Sequence, residues 1–145
     1  MSEEEVASFL AEQKVTACAT NGRSGWPHVM PLWYVLRGGR VWGWTYAKSQ
    51  KARNLERDGR ATLSLETGDR YEELRGVMIE SRVAIHRELE TVIEVGREIL
   101  ERYGGGALGE GFMEVVRAQA AKRVALEFAP VRTVSWDHRK LGGGY

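Results

Sequence analysis

Only one cysteine, Cys18, occurs in 145 residues, so the chain can form neither an internal disulfide nor a multi-cysteine zinc site. A lone thiol suits a reducing compartment, and a cytoplasmic location is the default expectation. An excess of either charge is also missing. The 21 Lys and Arg against 20 Asp and Glu leave a formal net charge of +1, which removes the broad attraction shown by non-specific nucleic-acid and anionic-membrane binders. Any anion binding has to be local. No apolar run approaches the ~18 residues of a membrane-spanning helix, and the N-terminus, Met1-Ser2-Glu3-Glu4-Glu5, is acidic, so neither a span nor a signal peptide is expected. The chain fits one domain, residues 1–145, large enough to bury a core by packing alone.

Several chemistries lack their residues. His28, His86 and His138 are scattered, none at metal-ligand spacing, so no zinc site is expected. No Gly-x-Ser-x-Gly element supports an esterase. The glycine-rich run over 104–111 has no Gly-Lys-Ser/Thr and no preceding strand, and it reads as a flexible connection rather than a phosphate loop. Glu66, Asp69, Glu72 and Glu73 read as a solvated loop around Gly68, not as a paired acid site. Cys18 lies in an apolar segment without a basic sequence neighbour, which predicts a buried, inert thiol. Five tryptophans among basic residues could stack single-stranded nucleic acid, but the balanced charge argues against it.

What is present is a run of alternating segments. Ser2 followed by Glu5 makes a capping box for a short helix ending near Gln13, with Val6, Phe9 and Leu10 on one face as a lid or plug. Strands are expected over Val15 to Thr20, Trp26 to Leu36 and Arg40 to Tyr46, joined by a turn at Asn21 to Gly25 and a tight hairpin at Gly38-Gly39. In the second strand both alternating sets are apolar: Val29, Trp33 and Val35, and Met30, Leu32 and Tyr34. One face should therefore be core and the other covered by a ligand, a helix or another subunit. Pro27 and Pro31 cannot donate to a ladder and predict an edge or a bulge there. A helix over Ser49 to Arg57, strands over Ala61 to Leu65 and Leu74 to Arg87, helices over Glu88 to Tyr103 and Phe112 to Ala121, and strands over Arg123 to Phe128 and Val131 to Trp136 complete the chain. Some six strands, mostly antiparallel, imply a small closed or partly closed barrel.

The most informative stretch is Trp44-Thr45-Tyr46-Ala47-Lys48-Ser49-Gln50-Lys51-Ala52-Arg53-Asn54-Leu55, a strand running into a helix whose first turn is cationic. A helix N-terminus carries positive partial charge, so Lys51 and Arg53 are locally unfavourable there, and no acid appears before Glu56. Ser49 can cap the helix, and free backbone N–H groups among Lys48, Lys51 and Arg53 would cradle a phosphate beside the aromatics of the strand. The alternative is a solvated basic helix tying down a loop.

The order of parts resembles the pyridoxamine-phosphate-oxidase-like split β-barrel family. The residues that carry the resemblance are Gly25-Trp26-Pro27-His28-Val29-Met30-Pro31-Leu32-Trp33, followed by Lys48-Ser49-Gln50-Lys51-Ala52-Arg53-Asn54-Leu55-Glu56-Arg57-Asp58. It covers most of the chain and is nearest the small flavin- or deazaflavin-dependent oxidoreductases. The resemblance implies a mainly β, split antiparallel barrel with short helices, of α+β type. It implies a homodimer whose interface forms both cofactor pockets, with FMN or coenzyme F-420 as cofactor. Lys48, Ser49 and Lys51 would bind phosphate, supported by Asn54 or Arg53, and Arg53 and Arg57 lean toward the longer anionic tail of the deazaflavin. Met30, Pro31, Leu32, Trp33, Trp44, Thr45 and Tyr46 would flank the ring and ribityl chain. Trp136 and Arg139 could complete the site of the other subunit.

The implied activity is that of an oxidoreductase passing a hydride to or from a small planar substrate held against Trp33, Trp44 or Tyr46. Because such a cofactor carries the redox step, no side chain need be catalytic; His28 is the one candidate proton donor. The end of the chain, Ser135-Trp136-Asp137-His138-Arg139-Lys140-Leu141, lacks the Arg-Leu-His-type signature of the vitamin-phosphate oxidases, so that reaction is not expected. A non-enzymatic flavin or tetrapyrrole carrier on the same barrel is the alternative. Neither nucleic acid nor membrane is an expected partner.

Overall fold

The computed structural model describes residues 1–104 and 109–142. The elements run α1 (Glu3–Glu12), β1 (Val15–Asn21), β2 (Pro27–Arg37), β3 (Arg40–Tyr46), α2 (Gln50–Arg57), β4 (Arg60–Thr67), β5 (Arg75–His86), α3 (Leu89–Tyr103), α4 (Phe112–Ala120) and β6 (Arg123–Asp137). Single 3-10 turns at Tyr71–Glu73 and His138–Lys140 were not foreseen from the sequence. The strands close in the order β1-β2-β3-β6-β5-β4, every pair antiparallel. Half of the glycine-rich connection expected over 104–111 falls on 105–108, outside the described residues. No helix among the described residues is long and apolar enough to cross a membrane.

Alternation along each strand sends one set of side chains inward. Cys18, Leu32, Tyr34, Leu63, Leu65, Val77, Ile79, Leu126 and Phe128 meet there in one buried cluster. Phe9 and Leu10 of α1 enter the same cluster, so the first helix is indeed a plug. Its capping box forms as expected, with the Glu5 N–H donating to Ser2 Oγ at 3.2 Å and the Ser2 N–H to Glu5 Oε2 at 2.6 Å. Ala52 and Leu55 of α2 join the cluster too. Each large side chain taken from water here contributes about 1.5–3 kcal/mol, which is how a chain without disulfides holds together.

A second cluster, Val35, Trp42, Val92, Val95, Ile99, Ala120 and Ala125, lies outside the barrel, where α3 and α4 cover β2, β3 and β6. The opposite outer face is uncovered. There, rows of register partners cross from β2 to β6: Pro31, Ala17, Ser64, Met78 and Val134 in one, and Val29, Ala19, Thr62, Glu80 and Arg132 in the next. Apart from the Glu80–Arg132 ion pair, the side chains are small or apolar, and no helix of the described residues lies on them. The face of the second strand that should not be solvated is thus bare in the single chain, with Val29 and Trp33 each about half exposed.

Two expectations about strands change. The last two strands are one: β6 runs on through Pro130 because the pairing with β5 shifts register between Glu80 and Ser81, and that bulge absorbs the missing N–H. The second strand is half edge and half interior. Residues 27–33 of β2 pair with β1 alone, and only residues 34–37 pair with β3. Both prolines fall in the half that pairs with β1 but not with β3.

Gly96 of α3 shows how tight the outer layer is. A Cβ there would stand 2.2 Å from the Trp44 ring. Helix propensity favours alanine over glycine by about 1 kcal/mol, whereas overpacking costs about 1–3 kcal/mol. Gly96→Ala is therefore expected to lower the thermal unfolding midpoint by a few degrees; a rise would show that Trp44 moves aside freely.

Candidate functional site at the barrel seam

β2 leaves β3 below Tyr34, and β3 from Trp44 to Tyr46 pairs only with β6, so the barrel wall is open along this line. α2 begins at the same seam. Ser49, in extended conformation, caps it by accepting the Ala52 N–H at 3.1 Å, and Thr45 donates to Ser49 Oγ at 3.1 Å, which ties the helix start to the end of β3. The first turn holds no acid. This is the geometry of an anion site: N–H groups of a capped helix end at an open wall.

Lys51 decides what the seam can hold. It is only 7% exposed, and among the described residues its ammonium has neither an ion pair nor a hydrogen bond. Burial pulls its pKa below the usual lysine value. Cys18, the neighbour that would favour the charged form, offers no counter-charge, because burial pushes its thiol up to about 11. The inert thiol expected from the sequence is thus what the interior enforces. A cation removed from water and left uncompensated is unfavourable, and an anion at the helix start would relieve it. A second polar atom lacks a partner nearby: His28 Nδ1 is buried and unbonded, on a residue that faces Thr20 across the β1–β2 ladder. The residues present therefore fit a phosphate group at the seam.

The expected site residues divide. Lys48, Ser49 and Lys51 come together around the start of α2, with Thr45 behind them, and Arg53 is exposed on the same helix. Met30, Pro31 and Trp33 are exposed around the opening, whereas Tyr46, also exposed, lies on the Trp44 face of β3 with the Arg123 guanidinium 4.1 Å from its ring. Trp33 stacks on Tyr103 of α3, centroids 4.5 Å apart and planes within 3°. The Tyr103 hydroxyl accepts the Tyr34 N–H at 3.0 Å, and the Arg102 guanidinium donates to Tyr34 O at 2.7 Å and to Gln13 O at 2.6 Å. Neither residue was legible in the sequence, since each lies about 70 positions from the strand it braces.

Four of the expected side chains point elsewhere. The Leu32 side chain belongs to the barrel core, with its methyls against Gly43, which leaves only its backbone to face the seam. Trp44 points to the helical layer, packed on Gly96 with the Arg123 guanidinium 4.8 Å from its ring, because alternation turns it away from the seam. Asn54 is fully buried as a strut, donating to Thr20 Oγ1 at 3.1 Å and accepting from Gln50 at 2.8 Å, so its amide is used internally. Arg139 closes on Asp137 at 2.6 Å within its own chain. Trp136 lies over Gly76 on the uncovered sheet face, its N–H donating to Glu66 at 3.2 Å.

Six antiparallel strands closed except along one seam, with a capped helix end at the opening, define a split β-barrel protein. The sequence profile of the pyridoxamine 5'-phosphate oxidase family matches residues 2–137, and the chain belongs to that family. A conserved hypothetical protein from Mycobacterium tuberculosis is 42% identical over 100% of this chain and 90% of its own, with a TM-score of 0.92. An F-420 reductase superposes with a TM-score of 0.69 at 23% identity, covering 88% of this chain and 94% of its own. HutZ, a heme storage protein from Vibrio cholerae, does so with a TM-score of 0.71 at 17% identity, covering 91% and 92%. At these lower identities the likeness is one of fold. No curated protein matches the chain.

Two results are expected of Lys51. Replacing an uncompensated buried cation by an apolar side chain of similar length removes a desolvation penalty, so Lys51→Met should raise the unfolding midpoint of the ligand-free protein by a few degrees. A lowered lysine pKa also means that, between the folded value and the usual 10.5, the unfolded chain holds more protons than the folded one. Stability contributed by this group therefore rises with pH in that window. Denaturant titrations from neutral to alkaline pH should show the rise in the wild type and its loss in Lys51→Met.

Proposed function

We propose that the seam binds the phosphate and ring system of a flavin-type cofactor, FMN or coenzyme F-420, and that the protein is an oxidoreductase acting on a small planar substrate. The observation that carries this reading is Lys51, a lysine only 7% exposed whose ammonium has no protein partner among the described residues, beside the Ser49-capped start of α2. Family membership supports the class of chemistry. Such a cofactor, when bound, accepts or donates the hydride itself. The chain's own residues then have three tasks. Lys51 and the first-turn N–H groups hold the phosphate, with Lys48 adding charge at the rim. Trp33 gives an apolar wall, and Tyr103, stacked on it, fixes the orientation of that ring, while Met30 stands on the other face of β2. His28, with its ring nitrogen unsatisfied inside the seam, can supply a proton.

The uncovered sheet face supports a homodimer. Its rows of alanine, proline, valine and methionine suit burial rather than hydration, and a second copy laid there would exclude water from the seam. Trp136 lies on this face and is our candidate for completing the second copy's site.

Titration of the ligand-free protein with FMN and, separately, with coenzyme F-420, followed by fluorescence, tests the reading. Tight binding of one, weakened tenfold or more in Lys51→Met as expected for a lost charge-assisted phosphate contact, is the expected result. Affinity should fall with rising pH as Lys51 loses its proton. Failure of both ligands to bind sinks the proposal, and binding without turnover by any added electron acceptor would mark a carrier instead.

A further inference from the structure

Helix α1 ends without a basic residue in its last turn. The final carbonyls of a helix need outside donors, and a cation suits its negative end. Both needs are met from about 90 positions away along the chain. Arg102, in the last turn of α3, donates from Nη2 to Ala11 O at 2.9 Å, to Gln13 O at 2.6 Å and to Leu10 O at 3.3 Å. The other arm of the same guanidinium, Nη1, donates to Tyr34 O at 2.7 Å. Among the described residues no carboxylate pairs with it, so its charge is spent on the backbone of α1 and β2.

Tyr34 is the residue at which the seam begins. β2 pairs with β3 from Tyr34 onward, and the β1–β2 ladder ends one residue earlier, at Val15 opposite Trp33. The next two residues, Lys14 and Tyr34, are joined through the Tyr103 hydroxyl, which accepts the Tyr34 N–H at 3.0 Å and donates to Lys14 O. The Arg102 guanidinium lies 4.7 Å from the Tyr34 ring and 5.6 Å from the Tyr103 ring. Tyr103 is the last residue of α3, and helix ends ordinarily fray. Its ring nevertheless lies within 3° of the plane of Trp33. The bonds made by the residue before it tie this last turn down.

We propose that Arg102 is a positioning residue for the seam: by anchoring the end of α3 to α1 and to Tyr34, it holds Tyr103 in its stack and so sets the orientation in which Trp33 meets the cofactor ring. A half-exposed tryptophan without that backing gains rotamer freedom, and a ligand that needs the ring in one place must then order it on binding. That Trp33 serves the cofactor rests on the proposed function; that Arg102 fixes Trp33 does not. All of these contacts are made within one chain, so they do not depend on what covers the open sheet face.

A double-mutant cycle tests the proposal. Near-ultraviolet circular dichroism, taken as the difference between each protein and its Trp33→Leu counterpart, reads the stacked Trp33 ring, and titration with FMN and with coenzyme F-420 reads the seam. Arg102→Met is expected to lose most of the Trp33 dichroism. It should weaken the cofactor that binds by about fivefold to tenfold, the cost of ordering one freed aromatic side chain, and should have little effect once Trp33 is leucine. Tyr103→Leu, which removes the stack and leaves the guanidinium in place, should reproduce both losses. Arg102→Lys keeps a cation at the end of α1 but lacks the second arm that reaches Tyr34, so it is the milder variant should Arg102→Met fail to fold, and loss of the Trp33 dichroism is expected of it too. Arg97→Met, one turn earlier on α3 where the guanidinium pairs with Glu101, is the control and should leave both readings unchanged. Undiminished Trp33 dichroism in the Arg102 variants, or the same loss of affinity with and without Trp33, would make Arg102 a cap of α1 alone and overturn the proposal. If neither cofactor binds, the proposed function falls, and the dichroism by itself still decides whether Arg102 fixes Trp33.

Discussion

Pairing between β2 and β3 stops at Tyr34 opposite Gly43, and the opening in the barrel wall follows from that interruption. A closed barrel satisfies its backbone internally and leaves a ligand nothing but side chains. Here Pro27 and Pro31 supply no donors along the first half of β2, so the strand can part from its neighbour without leaving N–H groups at those positions unpaired. The chain between β3 and β4 then crosses the opening as α2, and the positive end of that helix comes to lie at the seam. Loss of pairing and the arrival of a helix N-terminus at the opening are one structural event.

α2 does two jobs that conflict. Ala52 and Leu55 help close the barrel core, and Asn54 braces β1 through Thr20. Lys51, one residue before Ala52 on the same short helix, is drawn into the protein with them, where its charge is unfavourable without a ligand.

The two outer faces of the barrel have different fates for a similar reason. Trp42, Val35 and Ala125 are covered by α3 and α4, and Gly96 lets that helix close on Trp44. The same helix ends in Arg102 and Tyr103, which reach back to brace β2 and Trp33. One side of the barrel is thus finished within the chain. The other, from Pro31 across to Val134, is left with small apolar side chains that a second surface would bury.

Local chemistry in the sequence determined a good deal. The Ser2–Glu5 capping box, the Gly38-Gly39 hairpin, the period-two strands and the Ser49 cap each act within a few residues, so their outcome can be read from neighbours along the chain. The acid-free first turn of α2 is legible by the same local logic, and the prolines mark the half of β2 that has no β3 beside it. The direction of a side chain in a twisted barrel was decided only by tertiary structure. Trp44 and Leu32 stand on strands that line the seam, yet pleat and register send one to the helical layer and the other to the core. Asn54 was claimed by Thr20. The stack of Tyr103 on Trp33 joins positions 70 residues apart. Such contacts depend on how the strands close, which is a property of the whole sheet and of no segment within it.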